Sequence, residues 1–218
     1  MKKWFDYQQT HQVTDFDWSK DTVPVMNLYP QLGKLMAKIK QNHAAGKYQV
    51  TTKKFFSDLS YQNAAAYGLG LSVDTMREYM NDPEYEELLA GEATDCFMPN
   101  AEANEEEFLK KFFAKKLGMV EDKMVLSVRL QKPGQYFALH FDRPKQQEWG
   151  TDLEDKTYLI FFDDWKMGQF FQLGTEFIKW RAGDVYTWSN KDVPHASANV
   201  GFDPRFLFLI YGKVNQNT

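Results

Sequence analysis

The spacing of apolar residues changes character part-way along this chain. In residues 30–43, Leu32, Leu35, Met36 and Ile39 recur at helical intervals, and Gly46 supplies a stop. A second helix is expected after Ser72 or Asp74, carrying Met76, Tyr79 and Met80 until Asn81-Asp82-Pro83 interrupts it. A short one is expected around Tyr85, Leu88 and Leu89. The clearest helix starts near Asn104. Glu105, Glu106 and Glu107 occupy its first turn, where the helix dipole favours negative charge. Phe108, Leu109, Phe112 and Phe113 form its apolar stripe, Lys115 and Lys116 lie in its last turn, and Gly118 fits the C-terminal stop.

After that helix the pattern becomes one of strands. Residues 124–130 alternate in part, and Lys132-Pro133-Gly134-Gln135 has the proline and glycine of a tight turn. Residues 136–142 read as the returning strand. Further strands are expected over 157–162, 169–173, 176–180, 185–188, 195–199 and 205–211. Short strands with regular turn punctuation argue for a sandwich or barrel. The expected class is α+β, mainly β, in a single domain over residues 1–218. A helix-rich N-terminal layer, residues 1–120, packs on a C-terminal jelly-roll sheet, residues 121–218.

Composition narrows the function. Hydrophobic residues make up 43% of the 218, with 18 Phe, 11 Tyr and 6 Trp, enough for a substantial core. The net charge of −4 supplies no broad cationic field, so no nucleic-acid partner is expected. The single cysteine, Cys96, cannot form an internal disulfide, which agrees with a reducing cytoplasm that also keeps iron ferrous. Met1-Lys2-Lys3-Trp4-Phe5-Asp6 turns polar at once and has no apolar signal region, and no run reaches membrane-spanning length. The expectation is a soluble cytoplasmic protein without a membrane partner.

The chemistry concentrates in the strands. His140 and Asp142 are two apart, so on a strand they point to one face, and His195 can reach the same interior point from another strand. Two imidazoles and a carboxylate are the ligand set of the facial triad that holds Fe(II) with open positions, and the lack of cysteine ligands argues against a closed zinc site. The bland alternative is an accidental His-x-Asp on an ordinary strand. In the segment His195-Ala196-Ser197-Ala198-Asn199 alternate alanines leave room for a bound molecule, or merely permit close sheet packing.

Arg205 adds a geometric expectation. If residues 200–204 form a turn, Asn199 and Arg205 come out roughly opposite each other. Asn199 lies four residues from His195, about 13 Å along a strand. A guanidinium reaching back would leave a gap suited to a five-carbon diacid, with Ser197 as its floor and Arg205 as a fork for the carboxylate. The alternative is an exposed arginine paired with Asp203.

Loop residues Arg143 and Trp149, after the metal strand, and Trp165, after the next, are substrate-contact candidates by position, although a solvated loop explains them equally. His11 and His43 read as surface residues. Lys110, Lys111, Lys115 and Lys116 read as a solvated helix face, and Met76 and Met80 as core.

The pattern His140-x-Asp142, Trp180-x-x-Gly183-Asp184, Pro194-His195 and Arg205 resembles the Fe(II)/2-oxoglutarate-dependent dioxygenases over residues 124–212. Residues 180–211 are especially similar to the aspartyl/asparaginyl β-hydroxylase and prolyl-hydroxylase-like branches. The resemblance implies a double-stranded β-helix, with His140, Asp142 and His195 on Fe(II) and Arg205 on the far carboxylate of 2-oxoglutarate. With O2, it implies hydroxylation of an amino acid, a peptidyl side chain or another small metabolite, releasing succinate and carbon dioxide. Asp142 counts against a halogenase, which needs that position vacant. Many relatives carry a serine two residues after the arginine, where this chain has Leu207. Thr157 is the candidate for the missing contact. Two other readings stand beside this one: a cupin-like metal protein with non-redox, isomerase-like chemistry, and a non-catalytic ligand-binding relative.

Overall fold

The computed structural model describes residues 22–53, 93–99, 104–140, 153–174, 176–189, 193 and 195–214. The helices expected after Ser72 and around Tyr85 lie outside them, as does His11.

Eight consecutive strands carry the architecture: β4 (Met119–Gln131), β5 (Tyr136–His140), β6 (Glu154–Phe161), β7 (Gln169–Leu173), β8 (Glu176–Phe177), β9 (Asp184–Ser189), β10 (His195–Asn199) and β11 (Arg205–Val214). They divide between two antiparallel sheets. One contains the order β9-β6-β11-β4, the other β5-β10-β7-β8. The chain crosses between sheets at nearly every connection, which is the winding of a jelly roll. The fold is a mainly β double-stranded β-helix.

The first half contributes more than helices. Strands β1 (Met26–Asn27), β2 (Thr51–Lys53) and β3 (Thr94–Phe97) extend the larger sheet to seven, in the order β1-β9-β6-β11-β4-β3-β2. They pair with what would otherwise be its bare edges, β9 and β4. Runs of two to four residues are too short to show alternation, so the sequence pattern could not reveal them.

Two helices are described. Helix α1 (Tyr29–Ala44) has proline in its first turn and buries Leu32, Met36 and Ile39. Helix α2 (Glu105–Leu117) has three glutamates in its first turn, lysines in its last and Gly118 in the left-handed cap conformation, as expected. Its buried stripe is Leu109, Phe113 and Leu117. Phe108, expected in that stripe, is instead exposed, because the helix presents the Leu109 side to the sheet. Lys110 and Lys111 pair with Glu106 and Glu107 one turn back, as a solvated face would. His43 is not a surface residue: it is half-buried and its ring stacks on Phe97 at 5.2 Å and meets Phe206 edge-on at 5.4 Å.

Alternation along the central strands separates two cores. Leu126, Val128 and Leu130 of β4, Tyr158 and Ile160 of β6, and Phe206, Phe208 and Ile210 of β11 join the helices in one cluster. Leu159 and Phe161 of β6, Leu207 of β11, Tyr186 and Trp188 of β9, and Phe171 and Leu173 of β7 form the other, between the sheets. Phe161 stacks on Trp180 with ring centroids 4.0 Å apart. Truncating such a ring to alanine costs ~3–5 kcal/mol. Among the described residues no helix is long and apolar enough to cross a membrane.

Candidate functional site

Strand β10 runs between β5 and β7 in the smaller sheet. Its first residue, His195, takes the register position opposite His140 of β5 on one side and Leu173 of β7 on the other. On β5 the register slips between His195 and Ser197: Ser197 pairs with Phe137, so two steps along β10 match three along β5. This one-residue bulge sets the two histidine positions opposite each other.

His195 is buried, and its ring lies 4.8 Å from that of Trp188 on the facing sheet. Its Nδ1 lies 3.1 Å from the carbonyl oxygen of Val193. A carbonyl only accepts, so Nδ1 carries the proton and the lone pair is on Nε2, the form a metal ligand requires. Asp142, Arg143 and Trp149 lie outside the described residues, and nothing is described of the His140 side chain. Among the described residues, no three His, Cys, Asp or Glu side chains gather.

Alternation on β4 fixes a second group of residues. Because Leu126, Val128 and Leu130 face the helices, Arg129 and Gln131 face the smaller sheet. Gln131 confirms this by donating from Nε2 to Ser197 Oγ across the barrel, at 3.2 Å. Arg205 is the register partner of Gln131 and is 4% exposed. Its guanidinium donates from Nη1 to the Phe170 carbonyl at 2.7 Å and from Nη2 to Gln131 Oε1. The Trp180 ring lies 5.5 Å from its Cζ. Its Nε is buried with no hydrogen-bond partner. Burial pushes its pKa down to about 9, which still leaves it charged at neutral pH. Every acceptor it has is neutral, and among the described residues no carboxylate pairs with it. The alternative expectation of an Arg205–Asp203 pair fails, since Asp203 pairs with Lys166 at 3.2 Å.

The expected hairpin between Asn199 and Arg205 does not form. Residues 200–204 carry the chain from the smaller sheet to the larger, and β11 pairs with β4 and β6. Asn199 nonetheless arrives near Arg205 by another route. Its Nδ2 donates to the carbonyls of Gln131 and Asp203, both at 2.8 Å, and its Oδ1 accepts from Gly201 N–H. These bonds tie Asn199 to Gln131 and to the 200–204 crossover.

Thr157 is buried on the inward face of β6, opposite Trp188 on β9. Trp188 touches His195, so Thr157 belongs to the histidine end of the barrel and not to the Arg205 end, where it was expected to help hold a far carboxylate. Trp165 is displaced the other way. Its Nε1 donates to the Gln169 carbonyl at 2.7 Å, and Gln169 pairs with Asn199, four residues along β10 from His195. It anchors a turn there, with Lys179 Nζ 4.7 Å from its ring centroid.

Three residues of this interior were not singled out from the sequence: Gln131, Arg129 and Trp188. The signal for the first two was the β4 alternation itself, whose polar positions fit a wet interior as well as solvent. Trp188 is 4% exposed and its indole N–H has no partner.

No family model matches the chain, and no curated protein matches it. Among solved structures it is similar to a prolyl-4-hydroxylase from Pseudomonas putida, with 14% identity, 83% of this chain and 100% of that one covered, and a TM-score of 0.45. A double-stranded β-helix protein from Klebsiella pneumoniae matches at 19% identity over 43% of this chain and 70% of its own, TM-score 0.31. A cupin-superfamily sugar phosphate isomerase from Silicibacter pomeroyi matches at 8% identity over 55% of this chain and 59% of its own, TM-score 0.34. At these values the similarities assign no chemistry.

Proposed function

We propose that this protein is an Fe(II)- and 2-oxoglutarate-dependent oxygenase that hydroxylates a C–H bond of an amino acid, a peptidyl side chain or a small metabolite. The observation that carries the reading is Arg205: a buried cation with only neutral acceptors and an Nε without a hydrogen-bond partner, inside the barrel whose other end holds His195. A buried charge is costly unless paired, and an anion bound beside Arg205 would offset that cost.

The donor set suits the metal. His140, Asp142 and His195 would hold Fe(II), and imidazole with carboxylate leaves positions open for exchange. Fe(II) held by these residues would supply oxygen activation coupled to oxidative decarboxylation of 2-oxoglutarate to succinate and carbon dioxide.

This chain's residues would do the rest. The Val193 carbonyl holds the His195 ring in its metal-binding tautomer, and Trp188 packs against that ring and keeps water from its face. Arg205 would anchor the far carboxylate, with Gln131 and the Phe170 carbonyl fixing the guanidinium plane. Ser197, tied to Gln131, would line the co-substrate chamber between the two ends.

Purified protein should release succinate from 2-oxoglutarate under Fe(II) and ascorbate without added substrate, and His140→Ala or Asp142→Ala should abolish it. Absence of 2-oxoglutarate binding to the metal-loaded protein, measured by calorimetry with Mn(II), would remove the reading.

A further inference from the structure

Leu207 stands where a polar partner for the far carboxylate would be convenient, and its cross-strand neighbour on β4 is Arg129. Arg129 shares the inward face with Gln131, one alternation away, because the residues on either side of it, Val128 and Leu130, belong to the helix-side core. Arg205 pairs with Gln131 and Leu207 with Arg129, so the two arginines are diagonal neighbours on adjacent strands. Diagonal neighbours on one face stand ~7–8 Å apart, within reach of long side chains.

Both arginines carry a buried Nε with no hydrogen-bond partner. Arg205 is the more deeply buried of the two, and Arg129 is half-buried. Among the described residues, neither has a carboxylate partner. Like charges on neighbouring strands of one face repel, and around Arg205 only neutral groups, the Phe170 carbonyl, Gln131 and the Trp180 ring, are described to offset that repulsion. An anion placed between them would satisfy both orphan donors at once.

We infer that Arg129 joins Arg205 in holding the far carboxylate of a dicarboxylate inside the barrel, supplying the second contact that Leu207 cannot. This rests on the co-substrate reading above and deepens it. Arg129 makes the chamber selective for a 2-oxo acid with a second carboxylate.

The test is calorimetry on the full chain with Mn(II), using 2-oxoglutarate and the monocarboxylate 2-oxobutyrate as probes. Arg129→Met keeps the aliphatic stem and loses the charge. It should weaken 2-oxoglutarate binding about tenfold or more, the size of a lost charge-assisted hydrogen bond, and change 2-oxobutyrate binding by less than about twofold. The double variant Arg129→Met/Leu207→Ser should recover part of the loss. Should Arg129→Met fail to fold, Arg129→Lys keeps the charge without the fork and should still bind measurably more weakly.

Unchanged 2-oxoglutarate affinity in these variants, or an equal loss for both probes, would overturn the inference and leave the oxygenase reading standing. Metal-independent 2-oxoglutarate binding that still requires Arg129 would support the arginine pair while removing the oxygenase. A wild-type protein that binds neither probe would remove both.

Discussion

His140 and His195 face each other across the β5–β10 ladder, one step before its register slips. The bulge matters because strand side chains alternate, so a one-residue error in register turns a position to the other face. If the two imidazoles share a metal, each should be needed separately. His140→Ala and His195→Ala should each lower Mn(II) or Co(II) affinity by more than about 100-fold, since even outer-sphere partners of metal ligands are worth 10–100-fold. Metal titration followed by calorimetry checks this, and a variant that binds normally would exclude its histidine from the site.

Arg205→Ala should raise the 2-oxoglutarate concentration needed for half-saturation by the equivalent of ~2–5 kcal/mol, the range for a desolvated, hydrogen-bonded charge pair. Arg205→Lys should recover little, because an ammonium cannot replace a fork held by both Gln131 and Phe170. Unchanged affinity in the alanine variant would transfer the anchoring role elsewhere.

Gln131 gives a test in which stability and binding move apart. Gln131→Leu strands the Arg205 Nη2 donor and should cost ~1–3 kcal/mol of stability, measured by urea unfolding. Gln131→Glu instead places a carboxylate on the guanidinium, pairing the buried charge from within. Its stability should not fall, yet it should bind 2-oxoglutarate far more weakly, because the anion's place is taken. Wild-type affinity in Gln131→Glu would mean that Arg205 is not the anchor.

Local pattern made much of this molecule readable and left its pairings hidden. The bounds of β7 and β10 and the capping of α2 follow from alternation and helix-end chemistry within a few residues. Alternation also gave the shared face of His195, Ser197 and Asn199. It could not say which strand lies across from which, because pairing is set by distant segments. The crossover after Asn199 therefore looked like a hairpin, and Thr157 was matched to the wrong end of the barrel. Arg129 and Gln131 were legible as polar positions on β4, but solvent and a wet interior give the same pattern. Phe108 shows the converse: an apolar residue beside a stripe need not belong to it.

His43 predicts a pH dependence of stability. Burial first, and then the cation of Lys132, lower its pKa from 6.5, with Asp95 opposing. The fold thus favours the neutral ring. Its contribution is complete above the unfolded value near 6.5 and is lost as pH falls below that value through the lower folded one. His43→Phe keeps an aromatic ring between Phe97 and Phe206 and removes the titration. Between pH 7.5 and 5 the urea midpoint should therefore drop less in the variant than in the wild type. Equal drops would assign the acid sensitivity to other groups.

Gly183 and Gly134 separate two reasons for a glycine. Both have positive φ, +81° and +84°. At Gly134, in the β4–β5 turn, an added Cβ would meet nothing within 4 Å, so Gly134→Ala should cost only the left-handed backbone penalty, ~1–2 kcal/mol. At Gly183 the same atom would lie 2.3 Å from the backbone nitrogen of Tyr29, where α1 begins, and Leu28 N–H donates to the Gly183 carbonyl at 2.8 Å. Gly183→Ala must therefore also push α1 away from the β9 edge, disturbing the β1–β9 pairing, and its cost should clearly exceed that of Gly134→Ala. Urea unfolding of the two variants side by side checks the order, and equal losses would mean that α1 yields freely at its start.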